Sequence, residues 1–445
     1  MTDRFTRRGT LGLGAGLAAA ASVGSIGRAA AAIPIADVPP PQQPVEAGAS
    51  LRVIRPTKFV DPDETIWRAN TAAFSKATGV PVRVDFVSWE DLRPQVAVAA
   101  QTGAGPDVVV GWANDPHLYT DKILDLTELA DYLGRKYGGW GPLAQIYGKK
   151  FGTNQWVALP MGHGGGAMVW RKSWVNEAGY DAIPNDLDKY LDLSRKLHQN
   201  GHPIGMALGN SQGDGNGTAT WLLWSHNAYQ VDEQNRVAIK SRETREALAY
   251  GAELYKNFIP GTLSWLDPSN NKAYIAGEIS MTPNGVSIYF VLRKDPSTQA
   301  MADDTEHARM PQGMAPSAPE AANTLNAMIF RHSKYPNAAK EYLRWMMEVQ
   351  QYDPWLTECF GYWAHPLLAF DASDCWKKDP KVLAYRDAGK MKYYDGFKGP
   401  ISAAAASATA EYVLVQMCAA VCSGTADIDS AVNEAERRLK RIYKT

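Results

Sequence analysis

The sequence predicts an α/β protein in two lobes. Residues 80–86, Val80-Pro81-Val82-Arg83-Val84-Asp85-Phe86, alternate with period two, which suits a strand with one buried face. Residues 92–102 place apolar side chains at helical spacing, and Gly103-Ala104-Gly105-Pro106 ends that helix abruptly. Asp107-Val108-Val109-Val110 is a short apolar run bounded by turn residues, as expected of a strand buried on both faces. Strand, helix and strand, followed by the loop Gly111-Trp112-Ala113-Asn114-Asp115-Pro116, describe a parallel α/β unit. Its loop lies at the carboxyl ends of the strands, the edge where open α/β sheets bind ligands. At 445 residues the chain exceeds one ordinary core, hence two lobes.

The remaining elements follow in order. Residues 33–50 hold five prolines and no periodicity, and read as a flexible spacer. A strand is expected at 51–55 and a helix from about Ile66 to Lys76. Further helices are expected at 186–199, 241–258, 336–350 and 427–442. The last starts behind Asp427 or Asp429 as N-cap and ends in Arg437-Arg438-Leu439-Lys440-Arg441, cations that suit a helix C-terminus. No internal repeat of fixed period occurs.

Residues 1–32 read as a targeting segment. Thr6-Arg7-Arg8-Gly9-Thr10-Leu11 is a twin-arginine pattern, with Thr10 where an aromatic residue or Leu is usual. A Gly/Ala-rich, mildly apolar stretch follows, then Arg28 and Ala29 to Ala32 as small-residue cleavage sites. Removal of four Arg and one Asp takes the formal charge from −1 to −4. That balance excludes electrostatic binding of nucleic acid as the main task. Beyond the N-terminus no run of 18 consecutive apolar residues suggests a membrane-spanning body. Cys359, Cys375, Cys418 and Cys422 lie far from the cleavage site, so no lipid anchor is expected. In so large a chain they read as small buried hydrophobes. The eight His show no H-E-x-x-H spacing and the cysteines no zinc spacing. Asp214-Gly215-Asn216 begins like a calcium loop but lacks the downstream Gly and Glu. No metal and no cofactor is expected.

Fourteen Trp residues are the main functional clue. Trp89, Trp112, Trp221, Trp265 and Trp363 sit in stretches rich in Gly, Asn, Asp and Pro, read as loops. Trp112 pairs with Asp115, Trp221 with Asn216, Trp265 with Asn270 and Asn271, and Trp363 with Tyr362. An aromatic face takes the C–H side of a sugar ring while carboxylates and amides take its hydroxyls. The bland reading is that any single Trp is a packing residue.

Together with residues 78–126, several later stretches resemble one family. These are Gln155 to Pro160, Ala276-Gly277-Glu278-Ile279-Ser280-Met281-Thr282-Pro283-Asn284-Gly285, Tyr335 to Leu343, and Ser423-Gly424 before 431–438. In their order along the chain they resemble the extracellular solute-binding proteins of ABC importers. The closest resemblance is to the family 1 sugar-binding group that includes maltose-binding protein. It implies a two-lobed periplasmic-binding-protein fold, each lobe a sheet flanked by helices, with the ligand cleft between lobes. Lobe one would comprise 51–161 and 326–365, and lobe two 162–325 and 366–445. It also implies a periplasmic monomer, free of the membrane, that captures a carbohydrate or related polyhydroxylated solute by hinge closure. The solute would then pass to ABC permease subunits in the inner membrane. Implied contacts are Trp112 and Asp115, Thr57, Lys58 and Asp61 after the first strand, and 216–221 from the second lobe. Pro116 stands where the family commonly has Arg, so one contact must come from elsewhere. Trp89, Gly164, Gly165, Trp265, Asn270, Asn271, Asn284, Tyr362 and Trp363 complete the expected site.

Two other readings are weighed. His163-Gly164-Gly165-Gly166 has the form of an oxyanion loop and Gly209-Asn210-Ser211-Gln212-Gly213 that of a nucleophile elbow, which together would suit a secreted α/β hydrolase. The elbow needs a helix directly after its Ser, and Asp214-Gly215-Asn216-Gly217 is read as unable to start one. The three glycines of 164–166 precede a strand, and more plausibly allow a crossing between lobes and close approach to a ligand. The third reading is a binding protein for a non-sugar solute, an amine or an anionic sugar derivative, with Lys58 or Arg293 as counter-charge.

Overall fold

The computed structural model describes residues 33–390 and 393–445; the expected export segment lies outside the described residues. The chain opens as β1 (Leu51–Pro56), α1 (Asp61–Thr78), β2 (Val82–Val87), α2 (Trp89–Thr102) and β3 (Val108–Gly111). The predicted strand–helix–strand unit is present, and Gly103 ends α2 in the left-handed region at φ +65°. α1 starts earlier than expected. Pro62 and the acidic Asp61, Asp63 and Glu64 occupy its first turn, where missing N–H groups and negative charge are both tolerated, so Asp61 is helical rather than in a loop.

β4 (Leu159–Gly165), β5 (Ala167–Arg171), β6 (Met281–Asn284), β7 (Thr305–Ala308) and β8 (Ala322–Ile329) complete two sheets. The larger has the order β2-β1-β3-β8-β4, the smaller β6-β5-β7. β1 pairs in parallel with β2 and β3, whereas β8 runs antiparallel to β3 and β4. β2 lies to one side of β1 and β3 to the other, so the loops after β1 and β3 diverge at a topological switch point. Because β8 is antiparallel, its first residues and the last of β4 meet that same edge, with Gly165 opposite Ala322. β3 is buried along its length, as its unbroken apolar run requires; β2, at the edge, is half-buried.

A core around Val53, Val108, Leu133, Leu325, Tyr342 and Phe370 packs on the larger sheet. A second, around Met168, Leu193, Leu222, Leu248, Val415 and Leu439, gathers helices at the smaller sheet. The expected helices appear at Leu187–Gln199, Arg242–Tyr255, Pro336–Met347 and Ile428–Tyr443, capped by Asp186, Ser241 and, for the last, Asp427. Residues 403–422 are long and apolar enough by composition to cross a membrane. Tyr412, at φ 54°, divides them into two helices that contribute Ala408, Val415 and Met417 to the second core.

Two expectations are corrected. The 33–50 segment is not a free spacer. The Glu46 carboxylate accepts the backbone N–H groups of Asn337 (2.8 Å) and Ala338 (3.0 Å), capping the helix Pro336–Met347, and Ala36 N–H donates to the Lys136 carbonyl. Nor does Asp214-Gly215-Asn216-Gly217 resist helix formation, since a helix spans Asp214–Ser225. Its orphan N–H groups find acceptors outside the helix: Asp267 takes Asp214 N–H (2.8 Å) and Ser211 Oγ takes Gly215 N–H (2.7 Å). Trp221 is therefore helical, as is Trp89, the first residue of α2 behind the Ser88 cap.

Candidate functional site

A cavity of about 170 Å³ lies where the ligand edge of the larger sheet faces the helix Asp214–Ser225 and β6. The larger sheet contributes Phe59 after β1, Trp89 and Arg93 from α2, Trp112 to Asn114 after β3, and Gly164 and Gly165 at the end of β4. From across the cavity come Gln212 to Asp214, Asn216 to Thr218, Trp221, Trp224, Asp267, Asn271 and Asn284, with Tyr362, Trp363 and Asp395 closing the walls.

Aromatic rings dominate. Trp89 stands 4.6 Å from Trp112 and 6.0 Å from Trp363, centroid to centroid, and Trp363 meets Tyr362 edge-on at 5.0 Å. The indole N–H groups of Trp89, Trp112 and Trp363 are buried and have no acceptor within the protein. Trp221 instead donates to the Pro311 carbonyl at 2.9 Å. A Cβ on Gly162 would stand 2.6 Å from the Trp363 Cβ, so the glycines of β4 let Trp363 lie flat against the strand.

Arg93 organises the polar part. Its Nε donates to Asp115 Oδ1 (2.7 Å), and its two terminal nitrogens to Gln212 Oε1 (2.7 Å) and Asn114 Oδ1 (2.9 Å). Asn114 in turn donates to Asp395 Oδ2 at 2.7 Å. Two hydrogen bonds thus join the loop after β3 and α2 to segments across the cavity. Burial raises the Asp395 carboxyl to about 6, with Arg93 opposing the shift. Asp115 is also pushed upward by burial against the pull of Arg93.

The opposite wall carries Asp214 and Asp267. The Asp267 carboxylate accepts the N–H groups of Gly213 and Asp214, while Asp214 Oδ2 is buried and accepts nothing. Burial raises both carboxyls, and the neighbouring Asp267 adds to the rise at Asp214. Glu320, on a third wall, takes Arg309 Nε at 2.6 Å and Met310 N–H at 2.9 Å.

Ten of the sixteen expected residues line this cavity: Trp89, Trp112, Gly164, Gly165, Asn216, Trp221, Asn271, Asn284, Tyr362 and Trp363. Six do not. Thr57 and Lys58 line a wider adjoining groove that shares Phe59, Trp89 and Asn271 with the cavity. Asp61 is exposed and pairs with Lys58 at 2.8 Å. Asp115 stands behind the wall, holding Arg93; α2 thereby supplies the cation absent at Pro116. The Trp265 ring packs where a Gly205 Cβ would be, and the Asn270 amide, behind the wall, bonds Thr282, Pro283, its own helix turn and the Asp214 carboxyl. Arg93, Asp214, Asp267, Glu320 and Asp395 were not anticipated. Only the helical spacing of Arg93 from Trp89 offered a signal.

Neither hydrolase element is assembled. Ser211 is buried, its Oγ accepting Gly215 N–H and donating to the Asp267 carboxylate, and among the described residues no hydrogen bond joins it to a histidine. Gly209 and Gly215 meet backbone to backbone: a Cβ on Gly215 would be 2.2 Å from the Gly209 carbonyl oxygen, so close packing explains these glycines. His163 is buried in β4, bonded to Thr324 at 2.8 Å and held near a pKa of about 3 by burial. Lys58 and Arg293 face Asp61 and Asp303 rather than the cavity. Cys359, Cys375, Cys418 and Cys422 are free thiols, the first three buried. No cluster of three or more His, Cys, Asp or Glu suited to a metal occurs among the described residues.

The family profile described as bacterial extracellular solute-binding protein matches residues 69–384. The chain belongs to that family. Solved structures of similar fold include maltose-bound MalE3 of T. maritima, with a TM-score of 0.77 and 16% identity over 89% of this chain and 100% of that one. A solute-binding protein of Agrobacterium radiobacter K84 in complex with ribitol gives 0.74 and 16% over 89% and 99%. One from Agrobacterium vitis S4 with D-mannitol gives 0.72 and 19% over the same shares. These likenesses fix the two-lobed binding-protein fold. No curated protein sequence matches the chain. Members of this extracellular solute-binding family are ligand-binding components of transport.

Proposed function

We propose that this chain is the solute-capturing component of an ABC importer, and that its solute is a carbohydrate or polyol. The observation that carries the reading is the cavity wall itself. Five Trp side chains line the cavity, three of them with buried indole N–H donors that have no acceptor, together with a carboxylate oxygen without a donor. A polyhydroxylated molecule supplies both kinds of partner at once, and leaving such groups unpaired costs about 1–3 kcal/mol each. A cavity of about 150 Å³ holds one benzene ring. At about 170 Å³ this one suits a single six-membered ring or a hexitol, with the adjoining groove available to a longer ligand. The sugar and polyol complexes of similar fold support the same class.

The protein carries out no chemistry in this reading. It needs no cofactor, binds neither nucleic acid nor membrane, works as a periplasmic monomer and docks on permease subunits. Two lobes, one built on each sheet, close on the solute about a hinge, with Arg93–Gln212 and Asn114–Asp395 as contacts of the closed state. Arg7 and Arg8 direct export by the twin-arginine route. Thermal-shift screening of residues 33–445 against monosaccharides, oligosaccharides, hexitols and sugar acids tests the solute class. A rise in Tm confined to sugars or polyols is expected; none across the panel would refute it.

A further inference from the structure

We propose that the captured solute carries a protonated amine, placed against the Asp214–Asp267 side of the cavity. This rests on the polyhydroxylated reading and narrows it to aminated sugars or polyols. The charged side chains lining the cavity are Arg93, Asp214, Asp267, Glu320 and Asp395. Arg93 is fully engaged by Asp115, Gln212 and Asn114, and Glu320 is paired with Arg309. Among the described residues no ion pair reaches Asp214 or Asp267. Asp267 accepts only neutral donors, the backbone N–H groups at the start of the helix Asp214–Ser225 and the Ser211 hydroxyl; Asp214 has the neutral Asn270 amide, and its Oδ2 is buried with no donor. Two carboxylates side by side in a cavity walled by indoles lack a cation.

A neutral hydroxyl could donate to Asp214 but would leave the charge of the pair uncompensated. An ammonium group supplies up to three donors and the missing charge. The composition of the walls favours it further, because Trp89, Trp112, Trp221, Trp224 and Trp363 line the cavity and indole rings attract cations. An anionic sugar derivative would meet the acids and is disfavoured. The unpartnered indole N–H groups on the other walls remain for the hydroxyl oxygens of the same molecule.

Calorimetric titration tests this with matched pairs: 2-amino-2-deoxyhexoses against the parent hexoses, and 1-amino-1-deoxyhexitols against the hexitols. At pH 7.5 the amine of at least one pair should bind tenfold or more tightly than its neutral partner. That ratio should fall towards one in Asp214→Asn. It should also fall as pH is lowered from 7.5 in the unmodified protein, as the upward-shifted Asp214 and Asp267 carboxyls take up protons and lose their charge. The pH series decides the matter if the variant does not fold. Neutral members binding as tightly as, or more tightly than, every amine would overturn the proposal and leave the polyhydroxylated reading standing. Binding of neither member of any pair would overturn the amine proposal and leave the polyhydroxylated reading to the thermal-shift panel.

Discussion

Asp395 shows how a single buried group ties the site to pH. In the unfolded chain an Asp titrates near 3.9; in the fold, burial raises this one to about 6. The folded state therefore holds a proton that the unfolded state releases between those values. The favourable contribution is complete below about pH 4 and is lost as pH rises through 6. Asp395→Asn should make the Tm of the unliganded protein less pH-dependent between pH 5 and 8, by about 1–2 kcal/mol across the window. An unchanged pH profile would place this carboxyl in contact with solvent. Ser211 makes the complementary point. Ser211→Ala removes the acceptor of Gly215 N–H and should cost about 1 kcal/mol of stability in urea titrations. Affinity for the solute should stay within a few-fold, and no ester or glycoside should turn over in either form. Hydrolysis that disappeared with the hydroxyl would reinstate the enzyme reading.

At the scale of elements, the parallel unit was readable because each part has a local signature. β3 is an apolar run, α2 ends at a left-handed Gly103, and β2 alternates. Trp112 at the strand end and Trp363 beside Tyr362 were readable for the same reason, as aromatic residues in turn-forming surroundings. The helix Asp214–Ser225 was not. Its Gly-rich start has poor intrinsic propensity, and the Asp267 carboxylate that satisfies it lies over fifty residues away in sequence. Arg93 and Asp395 were hidden likewise, since their roles exist only once distant segments meet through Asn114. Trp265 and Asn270 have the right composition but serve packing and turn geometry instead. The 33–50 segment was misread because proline content says nothing of docking. Glu46→Ala should lower global stability by about 1 kcal/mol by uncapping the helix Pro336–Met347. Identical denaturation curves would return 33–50 to the status of a spacer.

At the scale of the whole molecule, a protein of an extracellular family must leave the cytoplasm, and Arg7-Arg8 is the proposed instruction. Arg7→Lys together with Arg8→Lys should leave uncleaved precursor inside the cell, visible by fractionation and immunoblotting; normal export of the double variant would contradict the twin-arginine route.

The central claim is that solute is held between the two sheets, against Trp112. Calorimetric titration of the Trp112→Ala protein with the best solute from the thermal-shift screen, beside the unmodified protein, tests it most directly. Loss of the ring face and its buried area should weaken binding by about 2–4 kcal/mol. The unliganded variant should remain folded. Unchanged affinity would contradict the account, and an accompanying fall in the Tm of the unliganded variant would make Trp112 a packing residue of the larger sheet.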